Sequence, residues 1–289
     1  MNNTIKTQAG QGVKSLSLII TATLLTVNSF AGVPLNDLQG SGGLGYNPLA
    51  YTAGRYVTSE TNSLTDWVSL PQGGLWVVEF SDENIQWLAA SAAFSIAKRL
   101  ELSYGYGLIG NIDGDKDINT QNLGAKLKFI DENAWDTSWV PAIAVGGKWK
   151  HTSTELLKGL GVRDQGFDAY LVATKFISQT PLPVLASAGV LLSDEVVTGI
   201  LGHNDYGVAG FGSISVLPVD FLAVGVEYKG GINAGDGIKN SDYWNAHVAW
   251  FATKSLTFVA AYGYTGTFEG GLDDLGVGQA AVFSIQYGF

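Results

Sequence analysis

Four lysines of the sequence form two closely spaced pairs, and their spacing suits the binding of anions. The pairs are Lys126 with Lys128 and Lys148 with Lys150. Because successive side chains of a β-strand point to opposite faces, residues two positions apart share a face. Each pair would therefore place two ammonium groups on one face of a strand. Rows of such charges set the ion preference of a pore.

Further ionisable side chains fall on the same face as these lysines when the chain is divided into alternating strands. They are Glu101, Glu227, Lys229 and His247. Two interpretations stay open. The charges could line a narrow aqueous channel with a basic wall, or they could pair with one another inside a closed barrel and serve stability alone.

A hydrolytic site is the second kind of chemistry to consider, because the chain has three histidines, His151, His203 and His247. The run His151-Thr152-Ser153 has the His-x-Ser spacing that outer-membrane phospholipases carry on an outward-facing strand. The Asn and Gly that follow that serine in those enzymes are replaced here by Thr154 and Glu155. Since geometry rather than spacing defines a triad, we expect no enzyme and keep a lipid hydrolase only as a distant alternative.

A metal site is the third kind of chemistry. Asp113, Asp115 and Asp117 alternate as in a calcium loop, but Ile118 stands where the motif needs Gly and Gly124 where it needs Glu. A loose surface site for Ca²⁺ or Mg²⁺ is the only cofactor expected. The absence of cysteine excludes disulfides and thiolate metal sites.

The elements that must position these side chains are segments of about ten residues in which apolar and polar residues alternate. About ten residues is the length of a tilted membrane strand. Short connections alternate with longer polar ones, which gives an even strand count and places both ends of the barrel on one side of a membrane. We therefore predict an all-β fold, a transmembrane antiparallel up-and-down barrel of about 12 strands. The predicted strands are 72–80, 87–97, 100–109, 121–130, 139–150, 167–177, 184–194, 205–217, 221–231, 243–253, 256–267 and 278–289.

The last predicted strand also has the pattern of an outer-membrane assembly signal. Apolar or aromatic residues recur at every second position and end on the terminal residue: Phe283, Ile285, Tyr287 and Phe289. This pattern resembles the closing strand that the barrel-assembly machinery recognises in bacterial outer-membrane proteins. Aromatic residues near other strand ends are typical of interfacial girdles, and they favour a lipid-facing wall over a secreted soluble β-sandwich.

The N-terminus predicts export. Lys6 and Lys14 precede the apolar stretch 15–27, and Ser29-Phe30-Ala31 suits cleavage by signal peptidase. We expect a signal peptide over residues 1–31 and location in the bacterial outer membrane; a retained anchor helix is the alternative. Cleavage would change the net charge from −10 to −12, since it removes two lysines, and such an acidic chain excludes nucleic acid as a partner.

Two stretches are harder to place. Residues 32–70, which precede the barrel of 71–289, include the flexible run Gly40–Gly45 and four side chains that need burial: Tyr46, Leu49, Tyr51 and Tyr56. The stretch could be a lumen plug, a periplasmic lid or extra strands. The loop 151–166 is unusually apolar and could either constrict the lumen or pack at the rim; its candidate residues are Leu156, Leu157, Leu160 and Arg163.

Four stretches resemble an uncharacterised family of exported Gram-negative proteins, catalogued as domain of unknown function 3034. They are LELSYGYG (100–107), TELLKGLGVRDQGFDAYLVATKFI (154–177), FLAVGVEYK (221–229) and DYWNAHVAWF (242–251). The resemblance spans most of the mature chain. It implies an outer-membrane-type barrel and brings no activity, cofactor or catalytic residue.

Two functions are consistent with these observations. The first is a narrow passive channel for small solutes with a lysine-lined wall, biased toward anions. The second is a closed structural or interaction barrel with a plugged lumen. Expected partners are outer-membrane lipid, the assembly machinery and small solutes, while the oligomeric state and the solute stay open.

Overall fold

The computed structural model describes residues 33–57, 64–80, 84–111, 114, 118–153, 164–197, 200–201, 206–232, 242–265 and 278–289. The expected signal peptide, the three aspartates of the candidate metal site and the four residues of the candidate constriction loop lie outside these ranges. The side chains of 195–197, 200–201 and 265 are likewise outside the description.

Twelve antiparallel strands form one closed barrel, which confirms the predicted fold class. In chain order the strands are β1 (Gln72–Phe80), β2 (Ile85–Ile96), β3 (Leu100–Asn111), β4 (Ile118–Ile130), β5 (Ala142–Ser153), β6 (Gln165–Ile177), β7 (Val184–Ser193), β8 (Glu195–Val197), β9 (Ile200–Leu201), β10 (Gly207–Val219), β11 (Leu222–Lys229), β12 (Tyr243–Phe251), β13 (Leu256–Thr265) and β14 (Gln279–Gly288). The strands β8 and β9 form a separate two-stranded sheet.

The barrel closes where its first and last strands pair. Leu75 of β1 lies opposite Ile285 of β14, and the ladder between the two strands runs from Gln72 to Phe80. Each remaining pair of neighbouring barrel strands is consecutive in the chain, with one exception. β7 pairs with β10, and the β8–β9 hairpin lies between them in the sequence. A closed ladder leaves no unpaired strand edge, as a membrane barrel requires.

The two faces of the wall differ in the way that the alternation predicts. Outward residues such as Leu75 and Val208 are 62% and 68% exposed, whereas inward neighbours such as Trp76 and Ala209 are buried. On β12 the exposed side chains occupy every second position: Trp244, Ala246, Val248 and Trp250. A wall that is apolar outside and polar inside suits lipid around it.

The two ends of the barrel also differ. We call the end with the short connections, where β1 begins and β14 finishes, the turn end, and the opposite end the loop end. At the turn end the connections include 97–99 and 252–255, while the longer ones, such as 230–242, lie at the loop end. This arrangement is the one that transmembrane barrels have.

Several strand boundaries differ from those predicted. β5, predicted over 139–150, occupies Ala142–Ser153. It begins after Pro141, which has no N–H to donate to the ladder, and it extends to Ser153 because Thr152 still pairs with Thr120. β10 runs on through Pro218, with a register shift between Val216 and Val219. The hairpin β8–β9 lies in a stretch that was predicted to be a loop.

Residues 33–57, which we call the lumen segment, lie inside the barrel. The segment enters beside the C-terminal strand, where Pro34 approaches Gly288, and it returns to the turn end, where Arg55 bridges to Leu70 just before β1. Several of its apolar side chains join apolar clusters of the inner wall. Leu38 packs in a cluster with Trp76 and Val282, while Leu35 and Leu49 pack in one with Phe176 and Leu185.

Within the described residues, no helix is both long and apolar enough to cross a membrane. The helices described there are two three-residue 3₁₀ turns, Leu64–Asp66 before β1 and Ala134–Asp136 between β4 and β5.

Candidate functional site

The wall lysines of the lumen are buried and paired. Nζ of Lys126 lies 2.9 Å from Oε2 of Glu101, a neighbour on β3. Lys150 pairs in the same way with Asp168 on β6. Because a buried ammonium group without a counterion is costly, these pairs keep the charges inside the barrel. The strip of lysines is therefore not a row of free cations in this conformation.

Lys148 differs because its partners come from the lumen segment. Its Nζ donates to Oδ2 of Asp37 at 2.8 Å and to Oε1 of Gln39 at 2.9 Å. Lys148 and Asp37 are both almost completely buried. This ion pair ties the segment to the middle of β5.

Glu101 is the second anchor of the segment. Its Oε1 accepts a hydrogen bond from the backbone N–H of Gly42 at 2.9 Å, and its Oε2 accepts one from Ala53 at 2.7 Å. Lys126 donates to the carbonyl of Gly42 at 2.9 Å. One buried ion pair of the wall thus binds both the entering and the returning part of the segment.

Glu227 is the third anchor, and it lies on the opposite wall. β3 and β11 are six strands apart in the ring of twelve. Oε1 of Glu227 accepts hydrogen bonds from the N–H of Tyr46 at 2.7 Å and from the hydroxyl of Tyr243 at 3.0 Å. Nζ of Lys229 lies 4.5 Å from the ring centroid of Tyr46. The segment therefore spans the lumen from wall to wall.

Contacts at the turn end hold the returning part of the segment. The hydroxyl of Tyr51 donates to Oε2 of Glu132 at 2.9 Å, in the connection after β4. Burial, followed by the charge of Glu132, raises the pKa of Tyr51, so the hydroxyl keeps its proton as a donor. Nη2 of Arg55 donates to the terminal carbonyl oxygen of Phe289 at 3.1 Å.

The backbone of the segment also approaches β3 closely. Gly40 has φ of +106°, and a Cβ built on it would lie 2.6 Å from the carbonyl oxygen of Tyr104. A Cβ on Gly105 would lie 2.4 Å from the carbonyl oxygen of Gln39. Both positions need glycine, Gly40 for its conformation as well as for space.

Little space is left beside the segment. Two cavities border it within the described part of the chain, each of about 20 Å³, which is enough for about one water molecule. Leu44 and Trp76 line the first and Thr52 the second. At these two places the segment and the inner wall leave little free space.

A polar network continues from Glu227 along β12 to β10. Asn245 donates through Nδ2 to Glu227 at 2.6 Å, and its Oδ1 accepts from Nδ1–H of His247 at 2.9 Å, while Nε2 of His247 lies 3.0 Å from Oγ of Ser215. These distances match those of a nucleophile, base and orienting group. The cavity beside Ser215 and His247 has no room for an ester, and the network braces the carboxylate that holds Tyr46.

The structure brings most of the predicted lumen residues together. Seven of them are buried inside the barrel: Glu101, Lys126, Lys148, Lys150, Glu227, Lys229 and His247. Lys128 lies near the turn end, where its Nζ is 2.9 Å from Oδ1 of Asp131 in a partly exposed ion pair. The four residues of the predicted assembly signal, Phe283, Ile285, Tyr287 and Phe289, are exposed along the outer face.

Of the residues considered for a hydrolytic or a metal site, the structure describes only part. His151 stacks on Trp149 on the outer face, and Ser153 is exposed there. Asp113, Asp115, Asp117, Leu156, Leu157, Leu160 and Arg163 lie outside the described residues. Among the residues that the structure does describe, no three His, Asp or Glu side chains are grouped to hold a metal ion.

Sequence reasoning missed several polar partners. The side chain of Asp168 points inward from β6, the strand next to that of Lys150. The alternation of β6 could have identified Asp168 as a partner for that lysine. Ser215 and Asn245 could have been found in the same way. Asp37 and Glu132 lie outside the strands, where no periodicity says which way a side chain points.

Comparisons with known proteins agree with this architecture. The model of a family described as "Protein of unknown function (DUF3034)" matches residues 32–277. No curated protein gives a significant match to the sequence. The family match covers both the lumen segment and nearly all of the barrel.

Solved structures with a similar fold are outer-membrane proteins. The "KdgM porin" matches with a TM-score of 0.51 at 11% identity, over 75% of this chain and 99% of that one. The NanC porin matches with a TM-score of 0.49 at 10% identity, over 76% and 99%. The "COG4313 outer membrane channel from Pseudomonas putida F1" gives 0.44 at 10% identity, over 81% and 100%. At such identities the likeness to KdgM establishes a porin-like fold and nothing more.

Proposed function

Because the chain belongs to the DUF3034 family and has a porin-like fold, we propose that it is an outer-membrane channel for small solutes, closed here by the lumen segment. One observation carries the proposal. The twelve-strand ladder is complete without any residue of the segment, so the segment can move while the wall stays intact. Its displacement would leave a lumen with polar side chains on several strands.

The inner wall that faces the segment supports this function. A barrel closed for stability alone can be filled by large apolar side chains of its own strands. Here the wall beside the segment carries small or charged residues as well as apolar ones, and on β3 and β4 the small ones include Ser103, Gly105 and Gly124. We propose that an open lumen keeps the lysines along one side and prefers small anions.

The outer wall and the chain ends support the remaining parts of the proposal. We propose that lipid surrounds the apolar outer face and that the assembly machinery recognises the strand ending at Phe289. Export would follow from the stretch 1–31, whose role is still an expectation. A surface Ca²⁺ or Mg²⁺ at Asp113, Asp115 and Asp117 is also still a proposal.

A closed structural or interaction barrel is the second candidate. The observation in its favour is that the segment satisfies the wall charges: Lys148 pairs with Asp37, and Glu101 and Glu227 accept its backbone N–H groups. In that case the segment would never leave the lumen. We propose no hydrolytic role, and a Ser215→Ala variant should leave lipid and ester turnover at background.

Conductance across a planar bilayer tests the channel. Gly105→Ala should raise the conductance of the barrel severalfold, because the new Cβ meets the carbonyl of Gln39 and forces the segment away from β3. Gly210→Ala is the matched control, since its Cβ has no atom within 4 Å. If both variants and the unaltered chain stay silent at all voltages and salt concentrations, the protein is not a channel.

A further inference from the structure

The described wall lysines differ in where their counterions come from. Lys126 and Lys150 pair with Glu101 and Asp168, which belong to neighbouring strands and stay in place when the segment moves. Lys148 pairs with Asp37, which belongs to the segment. The second acceptor of Lys148, the side-chain oxygen of Gln39, belongs to the segment as well.

Asp37 is bound into its own segment and would leave with it. Its Oδ1 accepts hydrogen bonds from the backbone N–H of Gln39 at 3.0 Å and of Ser41 at 2.9 Å. Three donors thus surround one carboxylate: two backbone N–H groups and the ammonium of Lys148. Charge-assisted hydrogen bonds of this kind are the strong ones, so the place is built for a carboxylate.

The charge balance of this side of the lumen depends on the same contact. The neighbouring groups that face Lys148 are Lys126, Glu101, Lys150 and Asp168, and they form two neutral pairs. Among the described residues, removal of Asp37 therefore leaves Lys148 without an acidic partner of its own. A cation in a water-filled barrel with low-dielectric walls attracts anions.

We propose that Lys148 is the core of a carboxylate-binding site of the lumen, which Asp37 fills in the closed barrel and an anionic solute fills in the open one. The solute class is small carboxylates, because the ammonium of Lys148, the donor that stays on the wall, already binds one. The inference deepens the proposed channel and rests on it for the transport role, although the binding site can be tested without any conductance.

Chemical rescue tests the binding site. Asp37→Ala removes the carboxylate beside Lys148, and it should lower the melting temperature of the refolded barrel. Acetate should restore roughly 3–6 °C at about ten times its dissociation constant, since a ligand stabilises the state that binds it. Acetamide, a neutral molecule of the same shape, should restore nothing, and acetate should have no effect on the double variant Asp37→Ala/Lys148→Met. Asp37→Ser, whose shorter side chain also leaves the carboxylate position empty, replaces Asp37→Ala if the latter does not fold.

Ion selectivity tests the transport role of the same site. In the Gly105→Ala background, Lys148→Met should lower the ratio of anion to cation permeability and weaken block by succinate about tenfold, while Lys148→Arg should retain both. Lys128→Met, which removes an equal charge at the turn end, should change neither.

The outcomes separate the two proposals. Rescue by acetate in a protein that never conducts would support the site and refute the channel. Equal effects of acetate and acetamide, or rescue that persists without Lys148, would overturn the carboxylate site. Unchanged selectivity of a conducting Lys148→Met variant would contradict its role in the open lumen.

Discussion

Glu101 shows how a single wall residue can organise the lumen. Its carboxylate binds the ammonium of Lys126 and the backbone N–H groups of Gly42 and Ala53, and the residue is 1% exposed. A buried ion pair adds little net stability over apolar packing, but loss of one partner leaves an uncompensated charge. The position of the lumen segment and the stability of the barrel are therefore coupled at this residue.

Substitution of Glu101 should consequently be costly. Glu101→Gln should lower the free energy of unfolding by about 3–5 kcal/mol, because Lys126 loses its counterion in a buried place. Asp131→Asn is the control; it breaks the partly exposed pairs with Arg99 and Lys128 and should cost about 0–1 kcal/mol for each pair. Urea unfolding of barrels refolded in lipid vesicles measures both. Similar losses of unfolding free energy in the two variants would mean that the buried pair contributes no more to stability than the surface pairs.

The strands are the elements that the sequence describes well. Alternation is local, so β12 could be assigned its outward residues, such as Trp244 and Val248, from the sequence alone. The same parity placed Lys148 and Lys150 in the lumen. Boundaries were less accurate, because ladder pairing beyond the apolar core decides where a strand such as β5 ends.

The lumen segment could not be placed from the sequence. It has no repeating pattern, and its partners are distant along the chain: Asn36 binds Gln286, 250 positions away, and Tyr46 binds Glu227, 181 positions away. Only the need to bury Tyr46 and Leu49 was visible. Which of the plug, lid or strand alternatives holds depends on such long-range contacts.

The outward face of the strands predicts a response to charge that a water-soluble barrel would not have. Val248→Arg, in the middle of β12, should cost about 2–4 kcal/mol in lipid, because the charge enters the hydrocarbon. Phe221→Arg, next to the turn end, should cost about 0–1 kcal/mol near the interface. Both native side chains are exposed. Equal and negligible costs in vesicle refolding would contradict a lipid-facing wall.

The molecule as a whole combines a wall that closes by itself with a segment that lies inside it. The wall closes through the pairing of β1 with β14, while the segment is attached to opposite walls by hydrogen bonds and ion pairs. Polar contacts of this kind can be exchanged for water, whereas a broken strand ladder cannot. The described conformation is therefore the closed state of the proposed channel.

A reversible lock on the segment tests that claim most directly. The hydroxyl oxygens of Ser41 in the segment and Ser103 on β3 are 3.5 Å apart, so cysteines at both positions come within reach of a disulfide. The chain has no other cysteine to interfere. Either single cysteine variant is the control for oxidation itself.

Bilayer conductance of the Ser41→Cys/Ser103→Cys protein is then recorded before and after addition of a reductant. We expect a silent oxidised barrel, conductance steps on reduction, and single variants whose conductance does not depend on the redox state. An oxidised barrel that conducts as well as the reduced one would contradict closure by the lumen segment.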